Sequence, residues 1–195
     1  MNIKQIKLLS LIIGSVILLQ GCVTATVVGV GAAAATKIAT DPRTVGTQVD
    51  DETLEEKVLL TINKDSQIKS EARINVVSYS GQILLIGQVP NETLKEQVTN
   101  LTEGVEYVNK VYNELRVGSP ISFGQISKDG WITTQVKSKL LVDSNVKSTD
   151  IKAITENGEV FLMGNVTQDQ ANAAANVARN ILGVKKVVKV FNYIQ

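Results

Sequence analysis

The chain has 195 residues and carries 20 basic and 19 acidic side chains, a net charge of +1. So even a balance marks neither a nucleic-acid binder nor an acid-loving enzyme. Histidine is absent and cysteine occurs once, which removes Ser-His-Asp, Cys-His and histidine-zinc chemistry and any disulfide within the chain, so neither an enzyme nor a cofactor or metal site is expected.

The first stretch with a clear physical reading is the N-terminus. Lys4 and Lys7 precede an apolar run at residues 8–19, broken only by Ser10, Gly14 and Ser15. That run is short for a spanning helix, which needs roughly 20 apolar residues, but it has the charge order and length of a secretory signal. It ends in Leu19-Gln20-Gly21-Cys22. These four residues resemble the lipobox of bacterial lipoproteins, with Gln20 a mild departure where Ala or Ser is usual. The resemblance implies removal of residues 1–21 and acylation of Cys22. Acyl chains contribute about 0.8 kcal/mol per buried CH2, so two or more hold a protein stably at a bilayer. In Gram-negative lipoproteins an aspartate after the cysteine favours inner-membrane retention. Val23 stands there instead, which implies an outer-membrane protein facing the periplasm.

Residues 22–47 are small and apolar up to a turn at Asp41-Pro42-Arg43 and read as a tether. Beyond them the chain repeats itself at a spacing of about 78 residues. Asp65-Ser66-Gln67-Ile68-Lys69-Ser70 returns as Asp143-Ser144-Asn145-Val146-Lys147-Ser148, and Gly81-Gln82-Ile83-Leu84-Leu85-Ile86-Gly87 as Gly158-Glu159-Val160-Phe161-Leu162-Met163-Gly164. Gly104-Val105 and the run from Val108 to Asn113 are matched to Gly183-Val184 and the run from Val187 to Asn192.

Each copy reads helix, strand, strand, helix, strand. The first helix opens with Asp51 and Glu52 in its first turn, where acidic residues suit the positive helix end. Leu54, Val58 and Ile62 form its apolar stripe, as Ile132, Val136 and Leu140 do in the second copy. Strands are expected at residues 73–79 and 82–89, meeting at Ser80-Gly81, and at 152–155 and 159–166, meeting at the hairpin signal Asn157-Gly158. Asn91 caps the next helix, and Thr167 with Gln170 forms a capping box for its counterpart. Gly104 and Gly183 stand where a helix-terminating glycine is expected, while Gly87 and Gly164 end strands. Last strands follow at 110–117 and 186–194. One apolar sheet face covered by two helices makes each copy a two-layer α+β domain. No phosphate-binding glycine loop occurs, and Glu156 and Glu159 at a hairpin tip read as solvated.

This order, with the glycine pair around the second strand, resembles the BON domain over about three quarters of the chain. The expected architecture is residues 48–117 and 127–195 as two BON domains, each a three-stranded mixed sheet on two helices, joined by a linker at 118–126. Tandem BON domains behind a lipobox imply a lipoprotein that binds anionic phospholipid through its second domain, supports outer-membrane integrity and gathers at division sites. They imply lipid contact on the second domain's first helix, at Trp131, Thr134, Gln135, Val136, Lys137, Ser138 and Leu141.

The residues carry their own hint. The first copy holds 12 acidic and 7 basic side chains, whereas residues 118–195 hold 6 acidic and 9 basic. Trp131 is the sole tryptophan, and at 100° per residue it points away from the stripe of its own helix. Lys128 and Lys139 flank it. An indole so placed serves a membrane interface, packing against the first domain or linker, or a protein partner. Ile121, Phe123 and Ile126 in the linker are expected to pin the two domains together, with lipid contact as the second reading of Phe123. Two functions stay open: a reader of anionic phospholipid, and an adaptor for envelope-assembly or cell-wall remodelling proteins.

Overall fold

The structure, a computed structural model, describes residues 45–195. The leader, the lipobox with Cys22 and most of the tether lie outside the described residues.

The first half runs α1 (Val45–Ile62), α2 (Ser66–Glu71), β1 (Arg73–Tyr79), β2 (Gln82–Val89), α3 (Glu92–Glu103) and β3 (Lys110–Val117). The second half runs α4 (Phe123–Val142), a 3-10 turn (Ser148–Asp150), β4 (Ile151–Glu156), β5 (Glu159–Val166), α5 (Gln168–Arg179) and β6 (Lys186–Tyr193). Each half carries a three-stranded sheet in sequential order, its first pair antiparallel and its second parallel. A parallel pair needs a long crossover, which α3 and α5 supply. Their caps are the expected ones. Asn91 accepts from the Leu94 amide, and Thr167 and Gln170 close a capping box.

The central strands explain the tertiary structure. In β2, Ile83 and Leu85 face the helices of their own half and join Leu54, Val58, Ile62, Leu94, Val98 and Leu115. In β5, Val160 and Leu162 do the same with Ile132, Val136, Leu140, Ala171, Ala174 and Ala178. Strand side chains alternate between faces, so Leu84, Ile86, Phe161 and Met163 must point the other way. They meet each other. With Val77, Tyr79 and Val190 they form a third core between the two sheets. Both faces of each sheet are therefore apolar, where a single apolar face was expected.

Polar contacts frame that third core. Glu156, buried, accepts from Arg73 Nη1 at 2.6 Å and from Gln88 Nε2 at 2.7 Å. Arg116 reaches Glu159 at 2.6 Å. Lys152 donates to Glu55 Oε1 at 2.7 Å and to the Ser78 carbonyl at 3.1 Å, and the Tyr79 hydroxyl donates to the Asp150 carbonyl. Glu156 and Glu159 are thus interface groups, not solvated ones. The halves are fixed to one another as expected, but through the sheets. Ile121 is half-buried, with its amide on Gln88 Oε1, whereas Phe123 opens helix α4 into solvent.

Local expectations needed correction at four further points. Helix α1 begins at Val45, so Asp51 and Glu52 do not lie in its first turn. Asp51 is buried and accepts from the Ser78 hydroxyl and the Ser80 and Gly81 amides. Helix α2 was not foreseen; Asp65 caps it by accepting from Gln67 N and Ile68 N. The Ile68 amide bond leads the causes that hold the Asp65 carboxyl below its ordinary range. Gly87 and Gly164 lie inside their strands rather than at the ends, with φ of 128° and 156°. A Cβ there would fall 2.0 Å from the Arg73 carbonyl oxygen or 2.1 Å from that of Asp150, so the backbone approach itself demands glycine.

The last correction concerns the repeat. The Asn109 amide bonds the Gly81 carbonyl as the Lys185 amide bonds that of Gly158, and Val108–Val105 matches Val184–Ile181. Gly183 therefore corresponds to Tyr107, not to Gly104. Gly183 and Tyr107 both take positive φ, 93° and 72°. Gly104 has φ −76° and ends α3 without a left-handed turn.

Two outcomes follow for urea unfolding. Phe161→Ala empties the contact between the sheets and lowers stability by about 3–5 kcal/mol. Gly87→Ala sets a methyl group against the Arg73 carbonyl and lowers stability by more than about 1 kcal/mol.

Candidate functional site

Helix α4 is held by one buried carboxylate. Asp129 accepts from the Asn157 amide at 2.7 Å, the Gly158 amide at 2.8 Å and Gln125 Nε2 at 2.9 Å. Both amides belong to the tight turn joining β4 and β5, where Asn157 and Gly158 take φ of 50° and 78°. Such a turn points successive N–H groups the same way, and an acceptor is required there. Asp51 does the same for Ser80 and Gly81 in the first half. This clamp was missed by sequence reasoning, although an aspartate at matching helix positions in both copies, ahead of Ser-Gly and Asn-Gly turns, was its visible signal.

With Asp129, Ile132, Val136 and Leu140 buried, the helical repeat sends Phe123, Thr134, Ser138 and Leu141 to the opposite side. Trp131 borders that side. The exposures are 82% for Phe123, 52% for Trp131, 71% for Leu141 and 77% for Val142, leaving a helix face with large apolar groups in water. Thr134, Lys137 and Ser138 are exposed on it, Lys128 and Lys139 are exposed along its flank, and Gln135 is half-buried. Val136 does not belong to this face: it is fully buried in the core of the second half and reaches no external ligand. Phe123 does not pack between the halves, the first of its two expected roles, and joins the exposed face.

The matching surface of the first half is built from different chemistry. Thr53 replaces Trp131, Asp50 replaces Lys128 and Glu56 replaces Thr134 in the α1 register. An open groove of about 490 Å³ lies there, lined by Asp50, Thr53, Leu54, Lys57, Tyr107 and Asn109 among others. Lys57 Nζ stands 5.3 Å from the centre of the Tyr107 ring. A hydrogen bond to Glu106, and the charges of Glu106 and Asp50, raise the Tyr107 phenol above its ordinary pKa. Among the described residues no helix is long and apolar enough to cross a membrane, and no group of three or more acidic, histidine or cysteine side chains is placed to hold a metal ion.

Exposure and burial make different demands on substitution. Trp131→Ala leaves unfolding free energy within about 0.5 kcal/mol of the parent, while Val136→Ala lowers it by about 1–3 kcal/mol. Urea titration followed by circular dichroism distinguishes them.

Comparison with known proteins agrees with this architecture. The BON domain family model matches residues 50–119 and again 128–195. The chain is 63% identical over 194 residues to the outer membrane lipoprotein DolP of Haemophilus influenzae, covering 100% of both. It is 59% identical to a protein named 21 kDa hemolysin from Actinobacillus pleuropneumoniae, over 80% of each chain. With the osmotically-inducible protein Y of Escherichia coli it shares 31% identity over 77% of this chain and 76% of that protein. The chain belongs to the BON-domain family, as a two-domain lipoprotein of the outer membrane.

Proposed function

We propose that the protein is a non-catalytic reader of anionic phospholipid, carried at the outer membrane by an acylated Cys22 and touching the bilayer surface through helix α4. The observation that carries this reading is the exposed α4 face: Phe123, Trp131, Leu141 and Val142 in water beside Lys128 and Lys139. An indole suits the boundary between headgroups and acyl chains, since its ring is apolar and its N–H seeks a polar partner. Each lysine near an anionic surface adds about 1 kcal/mol. Leu141 and Val142 extend the apolar area that can leave water. Thr134 and Ser138 lie between these groups, and Lys137 adds charge on the far flank. Val136 contributes by holding the helix in place from beneath.

The anchor makes these contacts intramolecular, so weak binding suffices to concentrate the protein where anionic lipid is dense. Support of outer-membrane integrity at division sites, the role implied by the tandem BON resemblance, is then a consequence of where the anchored body gathers.

Residues 23–195, which keep every described residue and lack the acylation site, should co-sediment with phosphatidylglycerol-containing vesicles and not with phosphatidylcholine vesicles. Trp131→Ala should weaken that binding about tenfold while leaving the circular dichroism spectrum intact, and added salt should weaken it further. Absence of co-sedimentation at low salt would sink the reading and leave the adaptor function, with Cys22 as the membrane contact.

A further inference from the structure

The surface beside helix α4 has a second component on a different element. After α5 the chain passes through Asn180, Ile181, Leu182 and Gly183 before entering β6 at Lys186. Leu182 is 84% exposed, more than any residue of α4 considered above. Its neighbours are not loose. Ile181 packs against the core of the second half, and its carbonyl accepts from the Val184 amide. Lys185 bonds the Gly158 carbonyl through its amide and Asn157 Oδ1 through its side chain. A built turn therefore holds a leucine out into solvent.

That turn lies against α4 on the flank bearing Trp131. A Cβ on Gly183 would stand 3.2 Å from Ile132 Cδ1, next in sequence to Trp131. Farther along, Lys139, Val142 and Asp143 line a shallow groove with Val177, Asn180 and Ile181. The helix flank and the turn are thus one continuous surface, apolar at Trp131, Leu182 and Val142 and cationic at Lys128 and Lys139.

The duplication supplies an internal comparison. Tyr107 occupies the place of Gly183, so the residue at the place of Leu182 is Glu106. Lys128 is matched by Asp50 and Trp131 by Thr53. At each of these three positions the first half has a charged or polar group that resists entry into a bilayer, and the second half has one that favours it.

Resting on the function proposed above, we infer that the turn at Leu182 is a second insertion element, and that the lipid-reading surface is composite: helix α4 and the α5–β6 turn enter the headgroup layer together. Two elements fix the approach of the rigid body, where one helix would leave it free to roll about its own axis. Leu182 acts as the second apolar anchor, and Lys128 and Lys139 on the helix flank meet anionic headgroups.

Residues 23–195 contain no cysteine and a single tryptophan, so the two elements can be read separately. Trp131 emission reports the helix, and an environment-sensitive fluorophore on Leu182→Cys reports the turn. With vesicles of phosphatidylglycerol and phosphatidylethanolamine, both should shift to shorter wavelength at the same lipid concentration. The same fluorophore on Glu106→Cys should not shift. Leu182→Glu, which installs the first half's residue at an exposed site, should weaken vesicle binding about tenfold. A Trp131 shift with an unshifted label at 182, an equal shift at 106, or unchanged binding by Leu182→Glu would each overturn the inference and leave the helix reading standing. If neither position shifts, both fail together.

Discussion

The contact of Leu84 and Ile86 with Phe161 and Met163 is the constraint on which the rest of the molecule depends. It turns two small sheets, each with one face already covered by helices, into a body with three apolar cores. Small domains bury a modest fraction of their surface, and neither half contains a cysteine to staple it. Sharing a face gives each half a buried layer that it could not make alone. The polar pairs around the contact add direction. Arg73 and Arg116 come from the first half, Glu156 and Glu159 from the second, while Lys152 and Glu55 run the opposite way. These pairs cross the seam in both directions around the apolar contact, and the two that stay partly exposed, Arg116–Glu159 and Lys152–Glu55, add little stability of their own.

The two aspartate clamps show how the same fold was kept while its surfaces diverged. Asp51 and Asp129 answer one physical demand, the paired amides of a tight turn aimed at a helix, and both copies satisfy it identically. Two residues beyond each clamp, where nothing inside the protein is at stake, one copy has Thr53 and the other Trp131. The scaffold positions the indole without depending on it. That separation of duties is why the α4 face reads as a functional surface and not as an incomplete core.

Much of this was legible before the structure. The edges of β1, β2, β3 and β5, the caps at Asn91 and Thr167, and the direction of Trp131 all follow from local rules of period, turn and capping chemistry. Some local features escaped, the short helix α2 behind the Asp65 cap and the early start of α1, but the larger misses were long-range. Ile83-Leu84-Leu85-Ile86 and Val160-Phe161-Leu162-Met163 are continuous apolar runs, the pattern of strands buried on both faces. Crediting each half with one apolar face overlooked that sign, and the apolar linker residues were given the task the sheets perform. With the sheets holding the halves together, Phe123 is not needed as an interdomain wedge and stays on the exposed α4 face. Val136 entered the lipid-contact set through the resemblance, although its helical phase puts it in the core stripe. The match of Gly104 to Gly183 failed because sequence similarity followed a Gly-Val pair, whereas the backbone required a left-handed residue, and in the first half that residue is Tyr107.

The sheet-to-sheet core also sets an order on biogenesis. A chain delivered from its N-terminus presents the first half before the second exists. Until β5 and β6 arrive, Val77, Tyr79, Leu84 and Ile86 form a bare apolar sheet surface, the kind of exposure that invites wrong partners during folding. The halves are thus independent in topology but interdependent in maturation. The interval between synthesis of Val117 and of Phe191 is the period in which that surface stays uncovered.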